Sequence, residues 1–208
     1  MKRLFTILCA VAITLSVSAQ AQFGATAGLN MANLSGEDLE TDMKMGINGG
    51  VTAAFSLTDV MTLETGALYS TKGTQDENSG IKTSMDLSYI EIPLNIAYSV
   101  SDQISLMAGP YLGLLMSANF KQSGEFLGET IDEELDIKDD IANMDFGINI
   151  GASFFINESI SVGAGYQLGL ADIGSEDDLD ATHTNIHIGM SYSLSRRIRS
   201  NSKDLFGR

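Results

Sequence analysis

The sequence predicts an eight-stranded antiparallel up-and-down transmembrane β-barrel. Three observations lead there: eight segments alternate apolar and small polar residues with a period of two, short and long connections take turns between them, and the polar face is almost free of charge. Twenty-one glycines, two prolines and no long helical pattern fit the same class.

The clearest segment runs from Met45 to Leu57. Its odd positions are Met45, Ile47, Gly49, Val51, Ala53, Phe55 and Leu57, and its even positions are Gly46, Asn48, Gly50, Thr52, Ala54 and Ser56. The same pattern predicts strands over Phe23 to Leu34, Met61 to Thr71, Met85 to Val100, Ile104 to Phe120, Met144 to Ile156, Ile160 to Leu170 and Thr184 to Leu194. Thr58-Asp59-Val60, Ser101-Asp102-Gln103 and Asn157-Glu158-Ser159 read as tight turns. The segments Ser35 to Lys44, Lys72 to Ser84, Lys121 to Asn143 and Ala171 to His183 read as long loops. Short periplasmic turns and longer outside loops are the pattern of a membrane barrel with both ends of the chain in the periplasm.

The kind of polar residue separates this barrel from a water-soluble one. A strand face bathed in water carries Lys, Arg and Glu, whereas Gly, Ser, Asn and Thr suit a narrow interior. Glu64 and Glu91 are the charges expected inside, with no Lys or Arg on the inward face of the same segments. Each is therefore expected to be hydrated, hydrogen-bonded or protonated, because a lone charge out of water is costly. Tyr89, Tyr111, Asn95, Asn149 and Gln167 are the inward groups expected to join them in a lumen polar network. Tyr89, Met107, Tyr111, Leu115 and Phe155 supply bulk to fill the lumen, and inward glycines leave the room.

On the apolar face the aromatics fall into two bands. Phe23, Phe55, Tyr98, Phe154 and Tyr192 lie toward the short turns, and Tyr69, Phe120 and Phe146 toward the long loops, as interfacial girdles would.

The chain opens with Met1-Lys2-Arg3, an apolar stretch from Leu4 to Val17 and a small-residue site ending at Ala21. This has the form of a cleaved export signal over 1–21, followed by a barrel over 22–195 and a basic periplasmic tail over 196–208 with Arg196, Arg197, Arg199, Lys203 and Arg208. Cys9, the one cysteine, lies within the signal, so the barrel has no thiol for a disulfide, a zinc site or catalysis.

Twelve basic against 27 acidic residues give a formal charge of −15, which excludes nucleic acid as a partner. The acids gather in the long loops. Loop three carries Glu125, Glu129, Asp132, Glu133, Glu134, Asp136, Asp139 and Asp140, and loop four carries Asp172, Glu176, Asp177, Asp178 and Asp180 without a base. The reading is a solvated, repelling rim; weak calcium binding by the loop-four acids, or divalent bridging to lipopolysaccharide phosphate, is the alternative. Gly163-x-Gly165 falls inside a strand and lacks the strand-to-helix setting of a dinucleotide site, so no cofactor is expected.

Tyr89-Ile90-Glu91-Ile92-Pro93-Leu94, Ala108-Gly109-Pro110-Tyr111-Leu112-Gly113, Asp145-Phe146-Gly147 and the opening Gly28-Leu29-Asn30 resemble the PorT-like, porin-like outer-membrane barrels of Bacteroidota. That resemblance implies an outer-membrane location and barrel architecture; its motifs carry no activity. The function expected is a non-enzymatic barrel with a structural or surface-interaction role, contacting outer-membrane lipid and lipopolysaccharide and able to meet an envelope protein. The alternatives are a small-solute channel or a component of a type IX-like export system. A lipid hydrolase using His183, His187 and Ser191 is the minor alternative, weakened because His187 and Ser191 stand about 13 Å apart along one strand.

Overall fold

In the computed structural model, residues 21–36, 42–78, 80–126, 129–172 and 181–194 are described. The strands are β1 (Ala21–Gly36), β2 (Asp42–Ser56), β3 (Met61–Asn78), β4 (Ile81–Ser99), β5 (Ile104–Phe126), β6 (Glu129–Asp136), β7 (Met144–Phe155), β8 (Ile160–Gly169) and β9 (Ala181–Ser193). Each pairs antiparallel with its neighbours, and β4–β5 and β1–β9 pairings close a ring of β1, β2, β3, β4, β5, β7, β8 and β9. The eight-stranded up-and-down barrel expected from the sequence is thus the observed fold. A closed ring leaves no unpaired edge, which is what allows strands to cross hydrocarbon.

The ring is staggered. Following partners from Ala21 through Phe55, Leu63, Ile96, Ala108, Ile150, Tyr166 and Ile186 returns to β1 at Met31, ten residues above the start. That shear tilts the strands and sets which inward residues share a level.

The outer face is apolar along its whole height: Val51, Ile92, Leu106, Leu114, Ile150 and Ile188 are all exposed there. Their neighbours in sequence turn inward, as the two-residue period requires.

The outer connections depart from the sequence reading. β3 and β4 continue as a hairpin to Asn78 and Ile81, through residues assigned to a loop. Loop three likewise holds the end of β5, the additional strand β6 and a 3-10 turn over Lys138–Asp140. Past Thr74 and Ser84, which are still buried, the hairpin stands largely in water, so the hydrophobic contrast that marks a strand fades while the backbone ladder persists. Residues 1–20 of the signal expected over 1–21, the loop acids Glu176, Asp177, Asp178 and Asp180, and the basic tail lie outside the described residues.

Candidate functional site

The lumen is blocked in its outer half by a layer of buried polar side chains. Its centre is Lys72, on β3, whose ammonium meets Glu91 Oε1 of β4 and lies 3.3 Å from Asp145 Oδ2 of β7. All three side chains are buried. Tyr111 of β5 donates its hydroxyl to Asp145 at 3.2 Å, and the ammonium lies over the Tyr111 ring, 4.6 Å from its centre. Gln167 of β8 donates to Glu91 Oε2 at 3.3 Å, and Asn185 of β9 donates to Gln167 at 2.8 Å. On the other side of the lumen Asn48 of β2 donates to Asn30 of β1 at 2.7 Å, and Asn30 donates to Ser70 of β3 at 2.9 Å. All eight strands of the ring therefore contribute a side chain to this polar layer.

The chemistry explains why the layer holds together. Taking an ion out of water costs several kcal/mol, which only close opposite charge and satisfied hydrogen bonds can offset. Here one ammonium faces two carboxylates and the Tyr111 ring, and the surplus negative charge is shared with the Tyr111 hydroxyl and the Gln167 amide. Above this layer Leu34, Leu87, Leu115, Ala118 and Ile141 form a buried apolar cluster that includes Tyr89. Ile141 comes from the segment assigned to loop three, which folds back over the mouth instead of standing wholly in water.

The expectation that Glu64 and Glu91 have no inward base is corrected by Lys72. The alternation ends at Thr71, which places Lys72 in a loop on sequence grounds, yet it has the same even parity as Glu64, Leu68 and Ser70 and continues their face. Asp145 and His183 were missed as members of the layer for related reasons. Asp145, the first inward position of the strand from Met144, shares the parity of Gly147 and Asn149, and His183, one residue before its segment, that of Asn185 and His187, so parity followed to and past the strand ends is the available signal. His183 is fully buried, and its Nε2 shares a hydrogen bond with the Tyr89 hydroxyl at 3.2 Å.

The remaining predicted residues fall at two levels. Asn149 donates to Asn95 Oδ1 at 3.4 Å, below the charged centre. Glu64 stands lower still, opposite Asn95 in register, and borders a cavity beneath the layer. Met107 and Phe155 also border that cavity, so the bulk expected to fill the lumen fills its outer half and leaves the other half hollow. Ser191 donates to Thr26 Oγ1 at 3.0 Å rather than to a histidine, which leaves the hydrolase triad unassembled.

Of the aromatics, Phe23, Tyr98, Phe154 and Tyr192 are exposed on the outer face, with Tyr98, Phe154 and Tyr192 opposite Met61, Ile104 and Ile160, the first residues after the short turns. Tyr69 and Phe146 are exposed nearer the other end, while Phe55 and Phe120 are half-buried. Among the described residues no group of three or more His, Cys, Asp and Glu is placed to hold a metal ion, and Asp172 is exposed.

A closed, staggered ring with an apolar outer wall and a polar interior defines an outer-membrane barrel. The chain belongs to the family of outer membrane protein beta-barrel domains, which it matches over residues 16–175. Its place is the outer membrane, with the apolar wall in contact with lipid. Neisserial surface protein A is similar in structure, with a TM-score of 0.52 and 14% identity, over 83% of this chain and 97% of that one. Ail, the attachment invasion locus protein of Yersinia pestis, solved in complex with the heparin analogue sucrose octasulfate, has a TM-score of 0.44 and 13% identity, over 84% of this chain and 99% of that one. No curated protein matches the chain in sequence.

Proposed function

We propose that this chain is a non-enzymatic outer-membrane barrel, exported by a cleaved signal over 1–21, that its own wall side chains close to general diffusion and whose acidic outer hairpins give it a structural or surface-interaction role. The observation that carries the reading is the Lys72–Glu91–Asp145 layer roofed by the Leu34, Leu87 and Leu115 cluster: a dry, cross-linked stopper is a poor path for solutes. Open aqueous channels belong to barrels of about 16 to 18 strands. Outside, exposed Glu133, Glu134 and Asp136 on β6 present negative charge to the medium as a solvated, repelling rim. Reconstituted protein is expected to show no steady single-channel conductance in a planar bilayer. Stable openings whose cation selectivity changes on Glu91→Gln would replace this reading with that of a small-solute channel.

The PorT-like resemblance of Tyr89 to Leu94 and Ala108 to Gly113 favours a second reading, a component of a protein-export system. Cross-linking of tagged protein in envelopes decides between them, since recovery of the same export-apparatus partner in repeated preparations would favour the second.

A further inference from the structure

Among the described strands, β6 alone lies outside the ring. It pairs with Asn119 to Phe126 of β5 on one side, and no described strand pairs with its other side. The place beside it is open in the ring as well. β6 continues the line of β7 along β5 beyond Met144, whereas β8, the next strand round, ends at Gly169 opposite Gly147.

The register identifies the backbone groups on the free side. The Ile137 N–H bonds the Ala118 carbonyl at 3.0 Å, and hydrogen-bonded positions alternate along an antiparallel strand. Glu133 and Leu135 therefore turn their N–H and C=O groups to Gln122 and Phe120 of β5, while Asp132, Glu134 and Asp136 turn theirs away from it. An unpaired edge of this kind is a template for one more strand.

The side chains specify which strand fits. Leu135, 63% exposed, shares one face with Glu133, and Asp132, Glu134 and Asp136 share the other. Glu134 already has Lys121 at 3.4 Å, and Asp136 accepts the Lys138 N–H at 3.0 Å. With those lysines counted, residues 121–140 still hold eight acids against two bases, a net charge of −6. That excess disfavours a second copy of β6 as the occupant, because like charges placed opposite each other are destabilising. It favours a strand that carries Lys or Arg.

We infer that β6 is a docking edge for an extended basic segment of another protein, which adds to it as the next strand. The backbone of Asp132, Glu134 and Asp136 holds the segment, its basic side chains lie along the acidic row, and an apolar residue rests against Leu135. Main-chain bonds supply affinity in this mode and alternate side chains supply specificity. The inference rests on the surface-interaction reading above and names the partner's chemistry.

A fluorescent peptide of alternating lysine and valine, as long as β6, tests it. Anisotropy follows its titration into the folded chain in phosphatidylcholine nanodiscs at about 0.15 M salt, with empty nanodiscs as the blank. Asp132→Pro and Asp132→Asn remove the same carboxylate, but only proline removes the N–H on the free edge, and it spares the β5 ladder. Saturable binding is expected, weakened at least about tenfold by Asp132→Pro and no more than about threefold by Asp132→Asn. Amide exchange at Asp132 and Glu134 is expected to slow on binding, with Glu133, already bonded to β5, unchanged. Heat-modifiable gel migration verifies that each variant is folded. A fully N-methylated peptide keeps its charge but has no N–H to donate, and is expected to bind at least about tenfold more weakly. Equal binding of the methylated peptide, or equal effects of the two substitutions, would show attraction to the acidic rim alone and overturn the docking edge. Absence of saturable binding would overturn it too. The bilayer recording keeps the two readings apart: a silent barrel that binds no peptide loses only the docking edge, whereas steady conductance displaces the closed-barrel reading whatever the peptide does.

Discussion

Lys72 and Glu91 form a buried ion pair on adjacent strands without facing each other, because the register partner of Glu91 is Leu68, four residues below Lys72. Four residues span about 13 Å along a strand, and the stagger of the ring recovers roughly one residue of that by raising Glu91 relative to Leu68. The rest is covered by the length of the two side chains, with the lysine head passing over the Tyr111 ring. The pair thus ties successive levels of the lumen together, and Asp145 extends the tie to the far wall.

Removing the cation is therefore expected to cost more than its share of packing. Lys72→Met leaves two carboxylates buried without a counter-charge and is expected to destabilise the folded barrel by about 3 to 5 kcal/mol. Adding Glu91→Gln and Asp145→Asn to Lys72→Met is expected to recover most of that loss. Urea unfolding followed by circular dichroism measures both, and a single-variant loss below about 1 kcal/mol would mean that the carboxylates are hydrated.

Ile92 and Leu114 face outward, 41% and 39% exposed, whereas Asn95 is 7% exposed on the inner face. Ile92→Arg or Leu114→Arg is expected to weaken insertion by about 2 to 4 kcal/mol near the membrane midplane. Asn95→Ser is expected to do far less. Folding titrations into liposomes distinguish the faces, and equal behaviour of all three variants would reverse the assignment.

Gly147 makes room for the layer. A Cβ there would lie 2.8 Å from Tyr111 Cε1, on the residue whose hydroxyl holds Asp145, and would also press on the Leu168 carbonyl. Gly147→Ala is expected to cost about 1 to 3 kcal/mol through overpacking. An unchanged urea midpoint would show that the ring yields more freely than a close-packed interior does.

As a solvated rim, the acidic hairpins are expected to be cut by added protease at the same rate in millimolar Ca²⁺ and in EDTA. Calcium-dependent protection of the 121–143 or 171–183 segments would instead reveal a bound ion, as weak extracellular-type sites behave.

By itself the sequence determined the membrane wall. Phe23, Val51, Ile92 and Leu114 alternate with Gly24, Thr52, Pro93 and Gly113, and a period of two is a local property that any strand must obey whatever its neighbours are. Short and long connections then fixed the order and direction of the strands. The same logic fails where contrast ends: Lys72 and His183 continue inward faces just beyond their alternating segments, Asp145 is the first inward position of its strand, and β6 has water on both sides. Only the tertiary structure decided which inward groups meet. Lys72 finds Asp145 across the lumen from β3 to β7, and Tyr89 finds His183 from β4 to β9. Those meetings depend on ring closure and on a ten-residue stagger that accumulates from every strand pair, so no single segment encodes them.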